Sequence, residues 1–152
     1  MNYRKVSVVH TEIVKEKSVL YGNGKNCRIT SAKEAVDFAN QFYYRDDKEK
    51  IHVCSLDGKG EPVTMELVAI GSARTCTVGI PEMFKTAILS NACGIIFFHN
   101  HPSGSCTPSR RDREVTEKLR EAGDLLDIPL VDHIILGAEG AYYSFSERGI
   151  LS

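Results

Sequence analysis

No segment of this 152-residue chain approaches the roughly 20 consecutive apolar residues that cross a bilayer. The opening stretch, MNYRKVSVVHTEIVKEKSVL, is interrupted by charges and lacks the apolar core of a secretory signal. An excess of one sign of charge is also missing: 19 basic and 20 acidic residues leave a formal net charge of -1. That balance gives no overall attraction to nucleic acid, although Arg110, Arg111 and Arg113 could still meet phosphate as a local patch. The five cysteines, Cys27, Cys54, Cys76, Cys93 and Cys106, include no C-x-x-C pair. An odd, scattered set without a secretory signal fits free thiols in a reducing compartment, so a cytoplasmic protein without a membrane partner is expected. Repeats and low-complexity tracts are absent as well. What remains is 42% hydrophobic and 26% charged, ordinary for a globular protein with one core in one domain.

The pattern along the chain alternates helices and strands. Val6, Val8, Val9, Ile13 and Val14 make residues 3–16 read as one long or broken strand. Ser31, with Glu34 three residues on, forms a capping-box signal, and Val36, Ala39, Phe42 and Tyr43 follow at helical spacing before Arg45-Asp46-Asp47. Strands are expected at 51–56 and 62–70 around an Asp57-Gly58 turn signal. A helix should open at Pro81 with Met83, Phe84, Ala87 and Ile88 inward. The apolar run Gly94-Ile95-Ile96-Phe97-Phe98 suits a strand buried on both faces. A helix over 109–126, with Val115, Leu119, Ala122 and Leu126 inward, and strands at 129–136 and 141–145 complete an α/β or α+β layered domain with a mixed sheet.

Chemistry concentrates in FFHNHPSGSCTPSRRD, residues 97–112. Side chains two apart in an extended chain point to the same side, so His99 and His101 can aim two imidazoles at one point. Neutral imidazole is a preferred zinc ligand. Asp112 falls one turn before Val115, on the inward stripe of its helix, where a carboxylate needs a partner. A metal on the two histidines would be one. The pair Ser109 and Asp112 also makes an S-x-x-D capping box, which alone would account for both residues.

The spacing H-x-H, seven residues, S, two residues, D matches the JAMM (MPN+) metalloprotease motif at His99, His101, Ser109 and Asp112. The longer string HNHPSG…TPS…D, with DHIILG at 132–137, resembles the RadC-like JAB-domain family. The resemblance runs from about Ser31 to Gly149 and leaves out that family's N-terminal helix-hairpin-helix region. It implies a three-layer JAB/MPN fold, a cytidine-deaminase-like mixed β-sheet flanked by helices, over residues 31–152, with residues 1–30 as a strand region packed on that single domain. It further implies Zn2+ held by His99, His101, Asp112 and a water, an upstream glutamate as proton acceptor, and Ser109 as a hydrogen-bond donor to the developing oxyanion.

In the family that glutamate lies between the first helix and the next strand, the position of Glu49; Glu66 is the runner-up, and Glu82 and Glu61 are remote candidates. Glu49 also belongs to the charge run Asp46-Asp47-Lys48-Glu49-Lys50, which on its own would be a solvated connection. His133 could orient a ligand or simply pack in the core, with packing favoured; His52 should face the other side of its strand. Cys106, between the ligands, would close the site if it bound metal. The literal His99-Asn100-His101 is not an HNH nuclease motif, whose residues are spread over a ββα unit. The H-x-E followed by P-C-x-x-C of zinc deaminases is absent: His10-Thr11-Glu12 spells the first part, but no P-C-x-x-C follows it. The expected activity is therefore a zinc metallopeptidase acting on a peptide or protein substrate, at a peptide or isopeptide bond. The alternatives are a DNA-repair-associated accessory protein, with DNA or repair proteins as partners by family label, and a metal-retaining protein-binding module without turnover.

Overall fold

The computed structural model describes residues 6–22, 27–43, 47–71 and 78–151. Its elements run α1 (Ala32–Ala39), β1 (Glu49–Leu56), β2 (Pro62–Gly71), α2 (Ile80–Leu89), β3 (Gly94–Asn100), α3 (Arg110–Leu126), β4 (Leu130–Leu136), a 3-10 turn (Ala138–Gly140) and β5 (Tyr142–Ser144). One five-stranded sheet has the order β2-β1-β3-β4-β5. Among the described residues β3 pairs parallel with β4, and the other neighbouring strands are antiparallel. This mixed α+β arrangement is consistent with the JAB/MPN fold.

The sheet alternation divides the core. Cys54, Leu56, Ile96, Phe98, Ile134 and Leu136 face α1, while Ile51, Val53, Ile95, Phe97 and Leu130 face α2 and α3. All seven residues of β3 are buried, as its unbroken apolar run requires. β3 is thus the central strand with helices on both sides, and its C-terminal end delivers His99.

Local chemistry explains most boundaries. Ser31 caps α1 by accepting the Glu34 N–H, but the Glu34 carboxylate returns to the Thr30 N–H and hydroxyl rather than completing a box on Ser31. The helix stops at Ala39, earlier than the stripe through Phe42 and Tyr43 suggests. Those two rings still pack on the α1 core from the turn, and tertiary packing serves them equally well without helical geometry. Residues 44–46, where the helix was expected to fade, lie outside the described residues. Asp57 Oδ1 accepts the Lys59 and Glu61 N–H groups and closes the β1–β2 turn.

Three expectations change. Residues 6–20 carry no helix or strand, and Val6, Val8, Val9 and Val14 are exposed; strand-like composition forms a strand only where a neighbouring strand pairs with it. Ile88 is 51% exposed, and α2 buries Met83, Phe84 and Ala87 instead. On α3 the buried positions are Thr116, Leu119 and Gly123, with Val115 and Ala122 packed beside them and Leu126 exposed. Gly123 allows that closeness, since a Cβ there would come within 2.7 Å of the Ile128 carbonyl.

Asp132, on β4, is buried and accepts hydrogen bonds from the Ser144 hydroxyl and the Ser146 N–H. Burial pushes its carboxyl up to about 6, although those hydrogen bonds pull the other way. A folded-state value above the unfolded one favours the protonated form. Its contribution, roughly 3 kcal/mol for a two-unit shift, is present below about pH 4 and lost as pH rises through 6. Asp132→Asn keeps the hydrogen-bonding shape and removes that titration. Urea unfolding between pH 4 and 7 should therefore show a smaller loss of stability in the variant; parallel pH profiles would contradict this.

Candidate metal centre

His99 and His101 leave the end of β3 on the face that carries α2 and α3, and Asp112 occupies the third position of α3. The S-x-x-D capping box is fully formed: the Ser109 side chain accepts the Asp112 N–H, and the Asp112 side chain accepts the Ser109 N–H at 2.6 Å. The Ser109 hydroxyl also donates to Asp112 Oδ2 at 2.7 Å. Capping and ligand geometry therefore coexist in one carboxylate. Fixing Asp112 at a helix N-terminus, where partial positive charge favours an anion, aims its remaining valence at the histidines.

The three side chains converge. His99 Nε2 lies 3.0 Å from His101 Nε2 and 3.2 Å from Asp112 Oδ1, and His101 Nε2 lies 3.4 Å from Asp112 Oδ2. Among the described residues this is the one group of three or more His, Cys, Asp or Glu close enough to share an ion. Cys106 is outside it, which leaves the site open.

Hydrogen bonding behind the cluster sets the tautomers of the neutral rings. The Thr116 hydroxyl lies 2.6 Å from the Asp112 carbonyl, which can only accept, so its proton points there. His133 Nδ1, 2.6 Å from the same hydroxyl oxygen, must then be the donor. Burial, then the nearby His99, lowers the proton affinity of His133, so its ring is neutral and its Nε2 keeps a lone pair. That lone pair accepts from His99 Nδ1–H at 2.9 Å, so in the neutral His99 ring Nε2 is the lone-pair position. His101 Nδ1 donates to the Ser105 carbonyl at 2.7 Å, which turns its Nε2 into the free position too.

With both rings neutral, two lone pairs and an anionic carboxylate face one another. Such a set calls for a cation. A proton is one answer: the Asp112 hydrogen bond, against burial, raises the proton affinity of His101, with help from the Ser105 carbonyl and the Asp112 and Glu49 charges. For Asp112, burial opposes ionisation, yet His101, His99 and Ser109 hold the carboxyl well below the usual carboxylate range. The spacing suits a metal better. Ligands about 2.0–2.1 Å from a tetrahedral zinc lie about 3.3 Å apart, and three ligands leave one position open. The two imidazole nitrogens, 3.0 Å apart, are near that value, and a different Asp112 oxygen approaches each of them, Oδ1 at 3.2 Å from His99 and Oδ2 at 3.4 Å from His101.

The candidate glutamates fall at different places. Glu49 opens β1, two residues before Ile51, which pairs with His99; strand alternation puts Glu49 on the same face as Ile51, and its charge acts on His101. Glu66 pairs with Val53, so β1 lies between it and β3. At about 4.8 Å per strand its backbone is about 10 Å from β3. Glu61 adjoins the β1–β2 turn, at the other end of the strands, and Glu82 lies exposed in the first turn of α2. His52 stacks near Phe42 and Tyr43 on the α1 side, as expected. A groove of about 360 Å³ opens beside the cluster, with Ile51, Ile80, Met83, Phe97 and Val115 as its apolar walls and Arg111 and Lys118 among its lining residues. Residues 72–77 of the loosely matching stretch 71–81 lie outside the described residues.

His133, favoured from sequence as a packing residue, does both jobs. It stacks on Phe145 at 4.6 Å and meets Phe97 edge-on, and it also orients His99. Its role follows from the parallel register that aligns it with Phe97, which no local pattern reveals. His133→Phe preserves the ring packing and removes the acceptor. Zinc affinity, measured by competition with an indicator dye, should fall about 10–100-fold; unchanged affinity would reduce His133 to packing.

A family model described as RadC-like JAB domain matches residues 29–150. A UPF0758 protein of Trichlorobacter lovleyi is 42% identical over 124 residues, 82% of this chain and 54% of the relative. One from Caldanaerobacter subterraneus is 40% identical over 131 residues, 86% of this chain and 56% of its own length. Another, from Chloroflexus aggregans, is 46% identical over 104 residues, 68% of this chain and 45% of its own length. The chain thus spans about half the length of the curated relatives it matches. Together with the convergent His, His and Asp ligands, this match over most of the chain establishes that the protein belongs to the RadC-like JAB-domain family.

Proposed function

We propose that this domain is a zinc-dependent hydrolase of the JAMM type that cleaves peptide or isopeptide bonds. The observation carrying the proposal is the convergence of His99, His101 and Asp112, close enough to share one ion and set beside an apolar groove. A zinc ion there would supply Lewis acidity and lower the pKa of a coordinated water to about 7. Glu49, on the same face, would accept the proton of the attacking water and return it to the leaving amine. The groove walls would seat an apolar side chain next to the scissile bond and exclude solvent. Ser109 holds Asp112 in place, and acting as an oxyanion donor requires its proton to swing away from Asp112 Oδ2.

The test is a panel of peptide and isopeptide substrates offered to the zinc-loaded protein with and without chelator. Cleavage that disappears on chelation and returns with zinc supports the proposal. Stoichiometric zinc with no cleavage of any substrate would favour a metal-retaining binding module. A DNA-associated role draws no support from the charge balance, and a salt-dependent DNA-binding measurement would reveal one.

A further inference from the structure

Asn100 stands between the two histidines, and nothing in the metal chemistry described above uses it. Alternation along β3 sends His99 and His101 to one side and the residue between them to the other. Asn100 is 9% exposed, and both ends of its amide engage one short stretch of chain. Its Oδ1 accepts the Lys50 N–H at 2.7 Å, and its Nδ2 donates to the Lys48 carbonyl at 3.0 Å. Those partners fix which end of the amide is which, since an N–H only donates and a carbonyl only accepts. The two bonds straddle Glu49.

The ladder shows why a side chain serves here. The paired register of β1 with β3 ends at Ile51 and His99, whereas β1 begins two residues earlier, at Glu49. Past that point the His101 N–H donates to the Leu136 carbonyl, continuing the pairing with β4. The Asn100 amide supplies the next rung in place of main chain. The Tyr43 hydroxyl adds a second tie at the same end, lying 3.3 Å from the Lys50 carbonyl and 3.2 Å from the Phe98 carbonyl.

We infer that Asn100 is a positioning residue for Glu49: its side chain clamps the peptide units on either side of Glu49 and holds that carboxylate on the face of the metal cluster. The inference rests on Glu49 being the proton acceptor proposed above. Strand ends fray at little cost, and a displacement of about 1 Å in a reacting group can lower a rate by about 100-fold.

The test compares Asn100→Ala, Asn100→Asp, Glu49→Gln and the Asn100→Ala/Glu49→Gln double variant, each loaded with Co(II). Cobalt affinity, exchange of the Lys50 amide and the pH midpoint of the cobalt visible spectrum are measured, none of which needs a substrate. Asn100→Ala should bind cobalt as the unsubstituted protein does and should exchange the Lys50 amide faster. Its pH midpoint should move in the same direction as that of Glu49→Gln, and the double variant should move no further than Glu49→Gln alone. Asn100→Asp keeps the acceptor for Lys50 and loses the donor to Lys48, so it should fall between. If Glu49→Gln moves the midpoint and Asn100→Ala does not, Asn100 is only a structural brace and the inference is overturned. If Glu49→Gln leaves the midpoint in place, Glu49 is not beside the ion, and the assignment of the base fails together with the inference. Loss of cobalt affinity in both Asn100 variants would also overturn it, because the amide would then serve the histidines.

Discussion

Glu49→Gln should lower turnover of the zinc-loaded protein by about 10²–10⁴-fold, the usual contribution of a positioned general base, while zinc stays bound. Glutamine keeps the size and a hydrogen-bonding oxygen and loses the ability to take a proton. The sheet order makes this expectation specific. Glu49 lies two residues beyond the Ile51–His99 pair on the same face of β1, and its charge contributes to the raised proton affinity of His101. Glu66, with β1 between it and β3, is too far across the sheet. Steady-state kinetics on both variants, with zinc content measured alongside, separates the two. A large loss in Glu66→Gln with none in Glu49→Gln would reverse the assignment.

The second large effect is on stability. At a free zinc concentration 100 times Kd, binding to the folded state alone adds about 2.7 kcal/mol, which for a domain of this size corresponds to a rise in Tm of about 10 °C. Asp112→Asn should abolish most of that rise. The asparagine oxygen can still accept the Ser109 N–H, so the helix cap survives and the zinc-free Tm should change little. The comparison thereby separates the two roles that meet in Asp112, since a residue that only caps α3 would leave the zinc response intact. Calorimetry with and without zinc reads the difference directly. An equal zinc shift in both proteins would remove Asp112 from the ligand set.

The His, His and Asp cluster was legible through the resemblance of its spacing to the JAMM motif, with two short-range rules compatible with it but open to a capping reading. Alternation in an extended chain puts His99 and His101 on one side, and the S-x-x-D spacing fixes Asp112 at the start of a helix. The unbroken apolar run of β3 likewise announced a central strand. Residues that support the ligands were hidden, because their roles depend on register between distant strands. His133 meets His99 only through the parallel pairing of β3 with β4, and Asn100 meets Lys48 and Lys50 only because β1 outruns its pairing with β3. Thr116 follows the same logic, with its hydroxyl linking the Asp112 carbonyl to His133.

Elsewhere periodicity overreached. Val6, Val8, Val9 and Val14 have strand-forming side chains without a paired neighbour, and Phe42 and Tyr43 keep helical spacing after the helix has ended because the α1 core can take their rings from a turn. Leu126 and Ile88 belong to the apolar stripes expected from sequence yet remain exposed, Ile88 beside a fully buried Ala87.

X-ray absorption at the zinc edge of the loaded protein tests the metal centre most directly. The geometry predicts one zinc per chain with nitrogen and oxygen ligands at about 2.0–2.1 Å, including the multiple-scattering signature of two imidazoles. A sulfur shell near about 2.3 Å, or a protein that takes up no zinc at all, would contradict it.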